Sequence, residues 1–151
     1  MVSQSELIEY ATNELKRQGF RKKAKRWTKT KNDFTLVFFI QGSQWDREAY
    51  YIRPGVFIND LSSISDYYGH FHTEIAQESI EQIFADLNTF YNNWTDKTRI
   101  KKTVLDFFRW EERNPLEKRR AGKVDYKSDP VPDPVMFAVR PQVIDYIIKK
   151  Y

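Results

Sequence analysis

The chain has 151 residues, a length that suits one domain and lets roughly 70% of the unfolded surface be buried on folding. It carries 25 Lys or Arg against 21 Asp or Glu, with four Trp, nine Tyr, eleven Phe and no Cys. Lack of Cys excludes a disulfide framework, a thiolate zinc site and a cysteine nucleophile, and the aromatic supply argues against disorder.

Ser3 or Ser5 can cap a first helix whose Leu7, Ile8, Ala11 and Leu15 share one face, with Gly19 placed to end it. Nine Lys or Arg and no acid lie between Lys16 and Lys31. This density suits an edge strand over Phe20 to Thr30 with Trp27 inward, followed by turn chemistry at Lys31-Asn32-Asp33. Phe34 to Gln41 is the clearest strand: Phe34, Leu36, Phe38 and Ile40 line one face, Val37 and Phe39 the other, so it belongs in the middle of a sheet. Ala49 to Ile58 returns as the next strand, where Pro54 and Gly55 suggest a bulge or bend. His70 to Ile75 offers a fourth, shorter strand. Ile80, Ile83, Phe84, Leu87, Tyr91 and Trp94 then mark an amphipathic helix. Thr95 or Asp96 caps another, running to about Arg113 with Ile100, Val104, Phe107 and Phe108 inward. Residues 115–134, with their Pro and Asp, read as an extended loop, and 135–151 as a terminal strand and a helix that opens on Pro141. The expectation is a single α+β domain over 1–151, with its core at about 3–114. It comprises an N-terminal helix, an antiparallel sheet of three to four strands, and C-terminal helices packed on the sheet.

One set of residues carries a resemblance: Leu15-Lys16, Gly19-Phe20, Lys22, Trp27, Ile40-Gln41, Ser43, Trp45, Tyr50-Tyr51-Ile52 and Gly55. In this order the chain resembles the bacterial domain-of-unknown-function family 4304 over about residues 5–95. The resemblance implies a small, soluble bacterial protein and, from gene neighbourhoods, an immunity protein of a toxin system. It supplies no site residues and does not reach the section from about Leu116.

Three constellations bear on function. The basic segment 16–31 can track phosphates through Arg21, Lys22, Lys23, Lys25, Arg26, Trp27 and Lys29, with Trp27 or Trp45 stacking a base and Lys118, Arg119, Arg120 and Lys123 assisting. The bland alternative is edge protection. Taken as one strand, Arg21, Lys23, Lys25, Lys29 and Lys31 share a parity with Trp27, and Lys22 and Arg26 take the other. Charge on both faces favours protection over a binding stripe. In GHFHTE, His70, His72 and Glu74 would project from one face and offer ligands to zinc or iron, though these two are the chain's only histidines. Solvent-facing or hydrogen-bonded histidines are the commoner outcome. Residues 50–96 hold seven acids against Arg53 alone. Asp60, Asp66, Glu74 and Glu78 are therefore candidates for meeting a basic partner.

No nucleophile elbow, phosphate loop or dinucleotide fingerprint is present, and five glycines leave no material for a phosphate cradle. The expectation is a non-enzymatic, cytoplasmic protein-binding module without a cofactor, of which an immunity-type inhibitor of a cognate toxin is one form. The alternatives are a nucleic-acid binder using residues 16–31 and a metal or weak enzymatic site at His70 and His72. No segment approaches the ~20 apolar residues of a membrane helix, so no membrane role is expected.

Overall fold

The computed structural model describes residues 2–151 and resolves the chain into two compact units, one ending at Thr95 and the other beginning at Asp96. The first unit opens with α1 (Gln4–Arg17), in which Ser3 Oγ accepts the Glu6 N–H at 3.2 Å. Gly19, at φ 91°, closes the helix while Phe20 N–H donates to Leu15 O, as a left-handed C-terminal cap requires. Five antiparallel strands follow: β1 (Arg21–Lys23), β2 (Arg26–Lys31), β3 (Phe34–Gly42), β4 (Tyr50–Ile58) and β5 (Phe71–His72). They lie in sequence order across the sheet, so β3 is the central strand. The unit ends with α2 (Ile80–Asn93), capped by Ser79.

The core lies on one side of the sheet. Cross-strand register places Trp27, Phe38 and Pro54 in one row, and Leu36 with Val56 in the next. On that face Phe38 contacts Trp27 and the α2 residue Phe84, which also meets Tyr10 of α1 edge to face. Tyr91 of α2 donates its hydroxyl to Val37 O at 2.5 Å, and burial pushes its ionisation well above the usual phenol range. Each such apolar side chain contributes about 1.5–3 kcal/mol by leaving water, whereas exposed ion pairs such as Arg17–Glu14 are screened by solvent and contribute little. Stability therefore resides in the layer between helices and sheet.

Several elements differ from the sequence expectation. The sheet has five strands rather than three to four, because Phe20 to Thr30 is not one strand but a hairpin. Its two-residue turn is Ala24-Lys25, with Ala24 at φ 55°; an alanine in that left-handed region gives no turn signal in the sequence. Nor is there a bulge at Pro54-Gly55: β4 pairs with β3 one to one from Gly42–Tyr50 to Phe34–Ile58. Gly55 serves a different purpose. A Cβ there would lie 1.8 Å from the Tyr68 carbonyl oxygen, because the loop after β4 crosses the strand at that point. Gly69, at φ 138°, allows the crossing from the other side.

The second unit contains α3 (Lys97–Arg113), α4 (Leu116–Arg120) and α5 (Pro141–Lys150). The stretch expected to be loose thus holds a short helix, and Pro134–Ala138 forms a 3-10 turn where a strand was expected. Pro134 and the Asp133 side chain, which accepts the Val135 N–H, favour that turn over an extended path. On α3 the inward aromatic residues are Phe107 and Trp110 rather than Phe107 and Phe108. Trp110 Nε1 donates to Asp129 O, Arg113 grips the Asp129 carboxylate through Nε and Nη2, and Asn114 Nδ2 adds a third contact. No helix among the described residues is long and apolar enough to cross a membrane.

Two outcomes follow from these contacts. Gly55→Ala should lower unfolding free energy in urea by about 1–3 kcal/mol, the usual range for forcing atoms into a filled site. Gly42→Ala, whose new Cβ would meet only the flexible end of Lys25 at 3.7 Å, should stay close to wild type. Arg113 and Asn114 hold the Asp129 carboxyl down from 3.8 to about 2. A depressed folded-state value stabilises the protein above pH 4 and stops doing so as pH falls to 2. Melting temperature should drop across that window, and Asp129→Asn should make the drop shallower.

Candidate binding face of the sheet

The side of the sheet opposite α1 and α2 is built by the alternate residues of each strand. Register assigns to it Arg21 and Lys23 of β1, Arg26 and Thr28 of β2, Phe39 and Gln41 of β3, Tyr51, Arg53 and Phe57 of β4, and His72 of β5. The hairpin turn inverts part of the parity expected for a single strand. Arg21 and Lys23 sit on the open side, while Lys22 stands opposite Trp27 with its ammonium 5.4 Å from the indole centre.

No helix of the first unit covers this face. The loop crossing at Gly55 instead lays Tyr67 and Tyr68 on it. Phe39 meets Tyr67 edge to face at 5.7 Å and Tyr68 at 6.2 Å, and the two tyrosines pack at right angles. Two arginines pack on the tyrosine rings of this face. Arg26 lies 5.9 Å from the Tyr67 ring and donates to Tyr67 O at 3.0 Å. Arg53 stands between Tyr51 at 5.3 Å and Tyr68 at 4.9 Å, and its Nε donates to Gln41 Oε1 at 2.9 Å. Tyr68 donates its hydroxyl to the same oxygen, and Glu74 lies 3.8 Å from Arg53. The result is a connected layer of aromatic rings and guanidinium groups whose outer members, Tyr67 and Tyr51, are 63% and 40% exposed. At the turn joining β3 to β4, Trp45 is 93% exposed, with its N–H bonded to Ser43 Oγ.

Many residues expected to act on phosphate are occupied within the fold. Trp27 is 1% exposed and offers no free ring face to a base. Lys29 donates to Gln18 O at 2.7 Å, and Lys25 to Gln4 Oε1 at 2.5 Å. Arg21, Lys22 and Lys23 are exposed on the outermost strand, where like charge opposes pairing with another chain. Lys118, Arg119, Arg120 and Lys123 belong to the second unit; there Arg119 packs on Trp110 and Phe137.

The histidines have separate places. His70 is 2% exposed; its Nδ1 accepts the Ile58 N–H and its Nε2 donates to Ile64 O, both at 2.9 Å. With both ring nitrogens engaged, it is a structural brace between β4 and the loop. His72 is half-buried beside Tyr68, and desolvation lowers its pKa, assisted by Arg53 and opposed by Asp66. No group of three or more His, Asp or Glu among the described residues is disposed to hold a metal. The acidic candidates are dispersed. Asp60 follows one end of β4, while Glu78 neighbours Gln77, whose side chain bonds Tyr50 O at the other end. That strand spans about 26 Å at its ordinary rise per residue. Asp66 accepts the Tyr68 N–H, and Glu74 stands beside Arg53.

Sequence reasoning did not find Tyr51, Tyr67, Tyr68 and Arg53 as one surface. The available signals were an isolated glycine within a strand and a Tyr-Tyr-Gly exit from the following loop. His70→Ala should destabilise the fold by about 2–4 kcal/mol, because it strands one buried N–H and one carbonyl. His72→Ala, at a half-exposed site, should change the urea midpoint far less.

A family model described as Domain of unknown function (DUF4304) matches residues 11–108, from within α1 through the whole sheet into α3. No curated protein and no solved structure matches the chain. Because the matched stretch takes in most of the sequence, the chain belongs to the DUF4304 family.

Proposed function

We propose that this protein is a non-enzymatic protein-binding module and that its contact surface is the open, Tyr- and Arg-rich face of the sheet. The observation that carries the proposal is the connected layer formed by Arg26 on Tyr67 and by Arg53 between Tyr51 and Tyr68. Tyrosine, tryptophan and arginine dominate the energetics of protein interfaces, where a large flat body and a polar edge act together. Arg21, Lys23, Arg26 and Arg53 outnumber Asp66 and Glu74 on this side, so the fitting partner presents acidic groups to it. An immunity-type inhibitor that occludes a cognate toxin in the bacterial cytoplasm is the form that the family resemblance favours.

Nucleic acid is the second reading, supported by the exposed Arg21, Lys22 and Lys23. The protein reading is preferred because the rings of Tyr51, Tyr67 and Tyr68 each already carry a guanidinium, and those guanidinium groups are bonded within the fold.

The double change Tyr51→Ala and Tyr67→Ala provides the test. It should weaken capture of the product encoded beside this gene at least ~100-fold, the size of a two-residue hot spot, while circular dichroism and melting stay close to wild type. Full retention of capture by the folded variant would sink the assignment to this face. Binding of a single-stranded oligonucleotide that weakens steeply with salt would instead favour the second reading.

A further inference from the structure

The second unit contains a cavity of about 290 Å³ among α3, α4, the 3-10 turn and α5. Its walls are mostly apolar: Phe107, Met136, Phe137, Val139 and Ile144 contribute to them. Three charged groups reach it, Glu111, Arg119 and Asp145. Two of these partner each other, Arg119 Nη2 lying 3.4 Å from Glu111 Oε2. Arg119 Nε donates to Asn114 O at 3.1 Å, and the guanidinium is steadied by Trp110 and Phe137 at 5.8 and 6.0 Å. Once these contacts are assigned, one charged edge of each sign remains at the cavity. Among the described residues, Arg119 Nη1 has no hydrogen bond, and Asp145 has neither an ion pair nor a hydrogen bond.

We infer that this cavity binds a small apolar zwitterion, an α-amino acid with a side chain of leucine or phenylalanine size. The carboxylate meets Arg119 Nη1, the ammonium meets Asp145, and the side chain enters the slot formed by Phe107, Met136, Val139 and Ile144. Size supports this class. Pockets for drug-sized molecules run from about 300 to 1,000 Å³, so a space of about 290 Å³ lies at the small end of that range, where an amino acid fits. Charge supports it as well. A simple anion would face Glu111 and Asp145, and a simple cation would leave Arg119 Nη1 opposite no acceptor. The apolar wall supplies affinity, and the two charged ends supply orientation.

The full chain should be titrated with L-phenylalanine and L-leucine, and separately with phenethylamine and 3-phenylpropanoate, which each keep one charge. The amino acids should raise the melting temperature by about 3–6 °C at roughly ten times Kd, and the single-charge analogues should not. Asp145 is exposed on α5, so Asp145→Asn should fold normally yet abolish the shift. Arg119→Lys keeps a cation and much of the stem, and should reduce the shift. The inference is overturned if neither amino acid shifts the melting temperature, if phenethylamine matches phenylalanine, or if Asp145→Asn leaves the shift intact. None of these results bears on partner capture by the open sheet face, which belongs to the other unit.

Discussion

The close approach of two backbones at Gly55 governs the arrangement of the first unit. The Tyr68 carbonyl rests where any side chain on β4 would stand, and Gly69 bends beside it. Without that approach the loop between β4 and β5 would have no seat on the sheet. His70 could not bridge Ile58 to Ile64, and the two tyrosines could not reach Phe39. A glycine inside a strand gives up side-chain packing and conformational entropy. Here it gives access instead: one side of the sheet is closed by helices, and the other carries a thin polar-aromatic layer.

That layer separates what holds the protein together from what remains available. Trp27, Phe38, Phe84 and Tyr91 are spent on the helix side. The cations of the hairpin divide between the two sides and the outer edge, and several are tied to backbone or amide oxygens. The basic run before β3 is thus mostly architecture, both guard of the outermost strand and tether for α1. Arg26 is the member of that run which passes into the exposed layer.

How much of this was legible in the sequence depends on the range over which each feature is decided. Helix caps at Ser3 and Asp96, the glycine stop at Gly19 and the central strand Phe34 to Gln41 are decided within a few residues, and their patterns are visible in the chain. The hairpin at Ala24 was not, because an alanine with positive φ is dictated by the pairing of Lys23 with Arg26 rather than by its own preference. The bulge expected at Pro54-Gly55 was the correct sign with the wrong meaning. Proline and glycine do mark an exception in the strand, but the exception is a crossing chain, which no local pattern displays. For the same reason GHFHTE suggested ligands. A pair of histidines at strand spacing says nothing of the amide and carbonyl that occupy both nitrogens of one of them.

The guanidinium groups packed on the tyrosines have a kinetic consequence. A side chain immobilised on contact loses about 0.5–1.5 kcal/mol of rotational freedom, and arginine is among those with most to lose. Arg26 and Arg53 surrender much of that freedom during folding, through their ring contacts and hydrogen bonds. On the proposed contact face, such stiffening would favour selection by shape as much as by charge, with slow release of a complementary body and no accommodation of a mismatched one.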